Sequence, residues 1–491
     1  MKKVISIALA LLMVAVMLPV MAMADEGTTL PEADNGVITL TSSYIVKDGT
    51  VVLDLQGNTI EGANIFVCDG GSLTIKNGTV NTTIMVYGGK VKTTKLSIES
   101  DVVITTPFGI RLEGGVNGNG EEFANILDNY DASTGTYGKS EINFAGTINC
   151  TDAGIWLYGN IGHSGAVEGN IVPGNNVVNI KNGAKINVTG SGSVGIGLMG
   201  CVTVNVEEGA SISAGAAAVF VKAGTLNVSG GTLTATDNGP ADSILSNGNG
   251  TDAGVAAAVA VTGTYNKFHP ITVKIDGGTF TNVNGNAVFV GHSVSNNAAV
   301  PYTKGIDVDI TGGNFVSAPG KQAVLIQNSV DGDASSYANN RANAVTGGTF
   351  NSNVTPYVGQ NTLVVTDENN NYYVGNTAKD TVQNATGGTF TVVRAVPHEP
   401  VVFENVKPGV TIKNGTDEKV TVNGNDVPRN ESYTVPGTIT IIVPSDGGNT
   451  TTTPSTDNTK NPGTGANDFV GVAAAMAVVS LLGAAAVIRK K

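Results

Sequence analysis

Residues 202–235 read VTVNVEEGASISAGAAAVFVKAGTLNVSGGTLTA, and two units alternate within them. The first opens apolar-polar-apolar (Val204, Asn205, Val206), turns at Gly209 and resumes as a second short alternation. The second is a small residue followed by Val219-Phe220-Val221 and another turn. Period-2 alternation over a few residues, bounded by Gly, Asn and Asp, marks short strands.

Both units recur. Copies of the first are LTIKNGTV from Leu73, VNIKNGAKINV from Val178, LNVSGGTLTA from Leu226, VKIDGGTFTN from Val273, VDITGGNFVS from Val308 and NAVTGGTFNS from Asn343, with a weaker NATGGTFTVV from Asn384. The units at Gly277, Gly312 and Gly347 stand 35 residues apart. Copies of the second include NIFVCDG from Asn64, TIMVYGG from Thr83, GIRLEGG from Gly109, GIWLYGN from Gly154, GIGLMGC from Gly195, AVAVTGT from Ala258, AVFVGHS from Ala287 and AVLIQNS from Ala323. Repetition of strand pairs with no intervening helix predicts an all-β solenoid. The clearest spacings, such as Leu73 to Val91 or Val204 to Leu226, are one coil of a right-handed parallel β-helix. Val178, Ile180, Val204, Val206, Leu226 and Val228 are then inward, and Asn179, Asn205, Asn227, Lys274 and Asp309 outward.

Composition agrees. Gly fills 65 of 491 positions, about twice the usual share, as corners demand. Apolar residues make up 41%, enough for a core, so wholesale disorder is excluded. The formal charge of −13 disfavours phosphate backbones, and no nucleic-acid partner is expected. Cys68, Cys150 and Cys201 are too few and scattered for a disulfide framework, and read as small buried hydrophobes.

From Val51 (VVLDLQGNTIEGANIFVCDGGSLTIKNGTV) onward the texture resembles the pectin-lyase-like β-helix superfamily, particularly surface proteins of Gram-positive bacteria. The likeness covers about residues 37–395 and speaks to fold rather than activity.

Both ends carry address labels. Residues 1–24 combine a basic start, an apolar run and Ala22-Met23-Ala24, a secretory signal peptide with cleavage expected between Ala24 and Asp25. Phe469 to Ile488 is an uncharged span of transmembrane length, followed by Arg489-Lys490-Lys491. Before it stands Asn461-Pro462-Gly463-Thr464-Gly465. A P-x-T-G motif, an apolar span and a basic tail resemble the sorting signal of Gram-positive cell-wall-anchored (LPXTG-like) proteins. That resemblance implies sortase cleavage between Thr464 and Gly465, with covalent attachment to peptidoglycan. Asn461 departs from the Leu of the commonest form.

The expected organisation is a signal peptide (1–24), a parallel β-helix (25–396), a small β-sandwich or capping module (397–444), a polar spacer (445–460) and the sorting signal with its membrane helix (461–491). Residues 117–140 and 240–252 read as loops. Such a protein is secreted and held at the cell wall, its C-terminal helix in the membrane until processing.

Candidate chemistry is sparse. Polysaccharide lyases need a base and charge neutralisation, and hydrolases need paired carboxylates. The nearest groupings are Arg111 with Glu113, Asp152 beside Trp156, and Asp331 with Asp333, all equally readable as solvated loop or turn groups. His163, His269, His292 and His398 stand singly, without metal-ligand spacing. Gly190-Ser-Gly192-Ser-Val-Gly195 matches GxGxxG by letter but leads into a strand, so no pyrophosphate site is expected. No catalytic residue, metal or cofactor is assigned.

One feature is sharper. In the second unit the middle residue (Phe66, Met85, Arg111, Trp156, Gly197, Phe220, Ala260, Phe289, Leu325) has opposite parity to its aliphatic neighbours. With the aliphatics inward, Phe66, Trp156, Phe220 and Phe289 form an outer aromatic column, a candidate glycan-contact face. That reading requires the face to stay uncovered. Three functions therefore compete: an adhesin binding a host or environmental glycan or protein, a passive wall stalk, and, third, a β-helix lyase or hydrolase. An exposed aromatic ridge favours the first, a uniformly polar exterior the second, and a carboxylate–basic cluster on one outer face the third.

Overall fold

The computed structural model describes residues 30–89, 92–113, 139–157, 176–200, 202–237, 256–261, 271–291, 305–327 and 340–437, with the two-residue strands Val294–Ser295 and Ala298–Ala299. The signal peptide with Ala24 and Asp25, the spacer, the motif Asn461–Gly465, the 469–488 span, Cys201, His163, His269, His292, Asp331 and Asp333 lie outside the described residues. Among the described residues no helix is long and apolar enough to cross a membrane.

The first coil is three strands, Val37–Leu40, Tyr44–Lys47 and Thr50–Asp54. The next, Thr59–Gly62, Ile65–Cys68 and Ser72–Lys76, stacks on it in parallel, pairing Val37 with Thr59, Tyr44 with Ile65 and Thr50 with Ser72. Repetition produces three long sheets of sixteen, ten and nine strands, here A, B and C in the order the first coil enters them. This is an all-β, parallel β-helix-like solenoid. The two sequence units now have places. The first supplies a sheet C strand, a corner and a sheet A strand; the second supplies sheet B.

Alternation decides the facing. Val178, Ile180, Val204, Val206, Leu226 and Val228 lie in the core, while Asn179, Asn205 and Asn227 are half-buried on the outer side. Corners use residues that tolerate positive φ: Gly62 has φ +99°, and a Cβ there would sit 2.3 Å from the Leu40 carbonyl oxygen. No L side chain fits that contact. Inside sheet A the Phe of the 35-residue units makes its own column. Phe280, Phe315 and Phe350 stack with centroids 4.7 and 4.8 Å apart and planes within 7°. The rung spacing of a parallel sheet imposes that distance.

The solenoid is stopped at its C-terminal end. Sheet C ends on Ile306–Ile310 and sheet B on Val324–Ile326, while sheet A continues through Gly348–Phe350. Tyr372–Val374 then pairs antiparallel with Gly348–Phe350, which ends the parallel stack. A second core runs from Leu363 to Val435, including Ala378 and Val382 of the single described α-helix, α1 (Asn376–Asn384). The boundary expected at 397 falls within the span of this core. The C-terminal part shares sheet A with the coils, because Gly388–Arg394 pairs with Val364–Asp367 on one side and Val410–Asn414 on the other. The described residues belong to one compact unit ending at Gly437.

Candidate functional site

The three sheets present different outer faces. In sheet B the middle residues do form one column: Ile45, Phe66, Met85, Arg111, Trp156, Gly197, Phe220, Ala260, Phe289 and Leu325 follow one another in register. The expected open ridge is nevertheless corrected. Phe66, Trp156, Phe220 and Phe289 are 2, 3, 1 and 0% exposed. Trp156, Phe220 and Phe289 join Ala153, Val194, Met199, Ala217, Ala257 and Ala260 in a second apolar layer, and Phe66 packs with Cys68 and Tyr87. The reason is visible in strands such as AAVFV and AAVAV, which are buried at every position. Such strands are apolar on both faces, so opposite parity does not mean exposure.

The indole of Trp156 lies over Gly197, where a Cβ would come 2.3 Å from Cε3. Lys222, two residues beyond Phe220, is fully buried with its ammonium 4.8 Å from the Phe220 ring centroid. Burial pulls its pKa down to about 7. Sequence reasoning missed this lysine, since nothing in AVFVKAG marks it as buried.

Of the three enzymatic groupings only Asp152 with Trp156 lies wholly within the described residues. Arg111 stands 5.9 Å from the ring of Phe108 on its own strand, and the Glu113 side chain is outside the described residues. Asp152 is half-buried at a corner, and His398 is an exposed turn residue at φ +64°. Among the described residues no group of three His, Cys, Asp or Glu could hold a metal ion. Burial, then Asp69, pushes the Cys68 thiol up to about 11; burial, then Asp152, pushes Cys150 to about 12. These are inert hydrophobes, as their isolation suggests.

Sheet C is where polar groups are organised. Asn143, Asn179, Asn205 and Asn227 occupy one outward column on consecutive strands. Each amide donates to the one before: Asn179 Nδ2 to Asn143 Oδ1, Asn205 Nδ2 to Asn179 Oδ1 and Asn227 Nδ2 to Asn205 Oδ1, all at 2.9 Å. The column is anchored at Glu141 Oε1, which accepts from Asn143 Nδ2 at 2.9 Å. That bond, aided by Lys95, holds the Glu141 carboxyl below its usual pKa. At the other end the column passes to Lys274 and then Asp309. There the sheet stops and an open notch of about 270 Å³ is lined by Lys274, Asp276, Asp309, Thr311, Asn343 and Thr346. The recurrent VNI, VNV and LNV triplets placed the Asn residues outward. The notch joins residues up to 72 positions apart (Lys274 to Thr346), and no local pattern announces it.

Sheet A also faces out with hydroxyls and amides. Thr147, Lys185, Ser211, Thr232 and Thr279 form one outward column, and Asn149, Asn187, Ser213, Thr234 and Thr281 another. Compared with family models, curated proteins and solved structures, the chain matches none.

Proposed function

We propose that the chain is a sortase-anchored surface protein of a Gram-positive cell wall, in which a right-handed β-helix rod acts as an adhesin. The address rests on the sequence alone: the leader ending at Ala24, and the sorting signal Asn461-Pro462-Gly463-Thr464-Gly465 with its apolar span and basic tail. The rod supplies reach, since ten parallel rungs, ~4.8 Å apart, extend ~43 Å. One observation carries the adhesive reading now that the aromatic column is closed. Over their central rungs the outward faces of sheets A and C are in-register arrays of hydroxyl and amide groups. Such a surface can hydrogen-bond an extended polar polymer at many repeated points.

The passive stalk is the competing reading, favoured by that same uniform polarity. The test is on cells. Muramidase, but not salt, should release the wild-type protein, and Thr464→Ala should leave it with the membrane. Cells carrying it should adhere to immobilised glycans or host matrix more than cells lacking it. Equal adhesion would remove the adhesive reading and favour the stalk.

A further inference from the structure

We infer that the outer face of sheet C is a binding track for a neutral, unbranched glycan, with one end of the chain seated in the notch beside Lys274, Asp309 and Asn343. The inference rests on the adhesive reading above and names its ligand class and site.

A primary amide has two N–H donors and two acceptor lone pairs on its oxygen. In the column, Asn179 and Asn205 each use one of each within the column. One N–H and one lone pair per rung remain without a partner among the described residues, on side chains that are only half-buried. Because neighbouring amides already fix these groups, a ligand does not have to order them, and preorganisation is what makes weak polar contacts add up. The repeat is one donor–acceptor pair per ~4.8 Å rung, close to the length of one sugar unit in an extended chain.

Charge selects the polymer. The amides Asn143, Asn179, Asn205 and Asn227 and their outward neighbours Val177, Thr203 and Thr225 are uncharged, and the ionisable groups flanking them are paired, Glu141 with Lys95 and Lys181 with Glu207. The chain as a whole is −13, which opposes polyanions at long range.

The notch supplies an end. Lys274 and Asp309 are in register on adjacent strands, yet Lys274 forms no ion pair among the described residues. Asp309 Oδ1 accepts from Asn340 Nδ2 at 2.9 Å, its single hydrogen bond among the described residues. Lys274, Asp276, Asp309, Thr311, Asn343 and Thr346 thus border, together with the apolar Ile275 and Ala344, one open space of about 270 Å³. Mixed donors and acceptors around a sugar-sized notch suit adjacent hydroxyls, each of which both donates and accepts.

The test uses the full-length chain in mild detergent against three immobilised linear probes: a neutral hexose polymer, an N-acetylhexosamine polymer and a polyuronate. Binding to one or both neutral probes is expected, and which one separates an environmental source from a wall-like one. Lys274→Gln should weaken it about tenfold, the effect of one charge-assisted hydrogen bond, and Asn205→Thr should weaken it with the notch intact. Both variants should keep the wild-type melting temperature within a few degrees. Neutral-glycan binding unchanged in both variants would overturn the inference while leaving an adhesin that uses another face. So would polyuronate binding as tightly as the neutral probes. Wild-type silence on all probes, with cell adhesion retained, would also overturn it and point to a protein ligand. Loss of cell adhesion as well would remove the adhesive reading itself.

Discussion

Asn340 does for Val308 what the backbone of another coil would do. Its Oδ1 accepts from the Val308 N–H at 3.0 Å and its Nδ2 donates to the Val308 carbonyl at 2.7 Å. Beside it, Arg341 Nε donates to the Ile326 carbonyl at 3.0 Å, and its guanidinium lies 4.9 Å from the Tyr357 ring centroid. Two consecutive side chains therefore close the last strands of sheets C and B, the edges through which a stack of parallel coils would otherwise recruit another chain.

Asn340→Ala should cost about 1–3 kcal/mol, the usual penalty for stranding polar groups. Combined with Arg341→Ala it should promote end-to-end association. Sedimentation velocity over a concentration series tests this. A double variant that stays monomeric at all concentrations would show that the remaining cap, Ala344 and Val345 against Ile310, suffices.

The Phe stack offers a clean packing test. Phe315 is fully buried between Phe280 and Phe350. Phe315→Ala should destabilise by about 3–5 kcal/mol, and Phe315→Leu by distinctly less. Denaturant melts of the two variants measure it. Equal losses would mean that the stack contributes through ring geometry more than through volume.

Trp156, the single Trp, reports on the covered face of sheet B. Its emission should be blue-shifted and poorly quenched by iodide in the native protein. Gly197→Ala drives a methyl to 2.3 Å from Cε3, so the ring must move. A loss of about 1–3 kcal/mol is expected, together with a red shift. Ready iodide quenching of the wild type would restore the open aromatic ridge.

How far the sequence reached depends on the range of each signal. Period-2 alternation is local, so the facing of Val204 and Asn205 and the stacking of repeated coils were legible from the chain alone, while the three strands per coil came from the structure. The aromatic column was legible as a column, because Phe220 and Trp156 share a position in the repeat. Its burial was not, because a strand of small and apolar residues such as Ala217–Val221 looks the same whether one face or both are covered. The amide column was half legible: the Asn positions recur, but their mutual hydrogen bonds depend on register. The end cap was hidden, since Asn340 lies 32 residues from Val308 and no motif links them.

Lys222 makes stability depend on pH. Burial lowers its folded pKa to about 7, against ~10.4 in an unfolded chain. Between those values the unfolded state binds more protons than the folded one, so stability rises with pH. The slope is at most about 1.4 kcal/mol per pH unit for one group. From about pH 8 upward the thiols oppose it: Cys68 and Cys150 stay protonated in the fold up to about 11 and 12, while unfolded thiols ionise around pH ~8.5 and favour unfolding. The lysine therefore dominates between about pH 7 and 8. Denaturant melts across that interval should show rising stability in the wild type. In Lys222→Met the rise should vanish and the protein should be more stable at pH 7. An identical slope in the variant would assign the pH dependence to another group and leave Lys222 charged in the folded state.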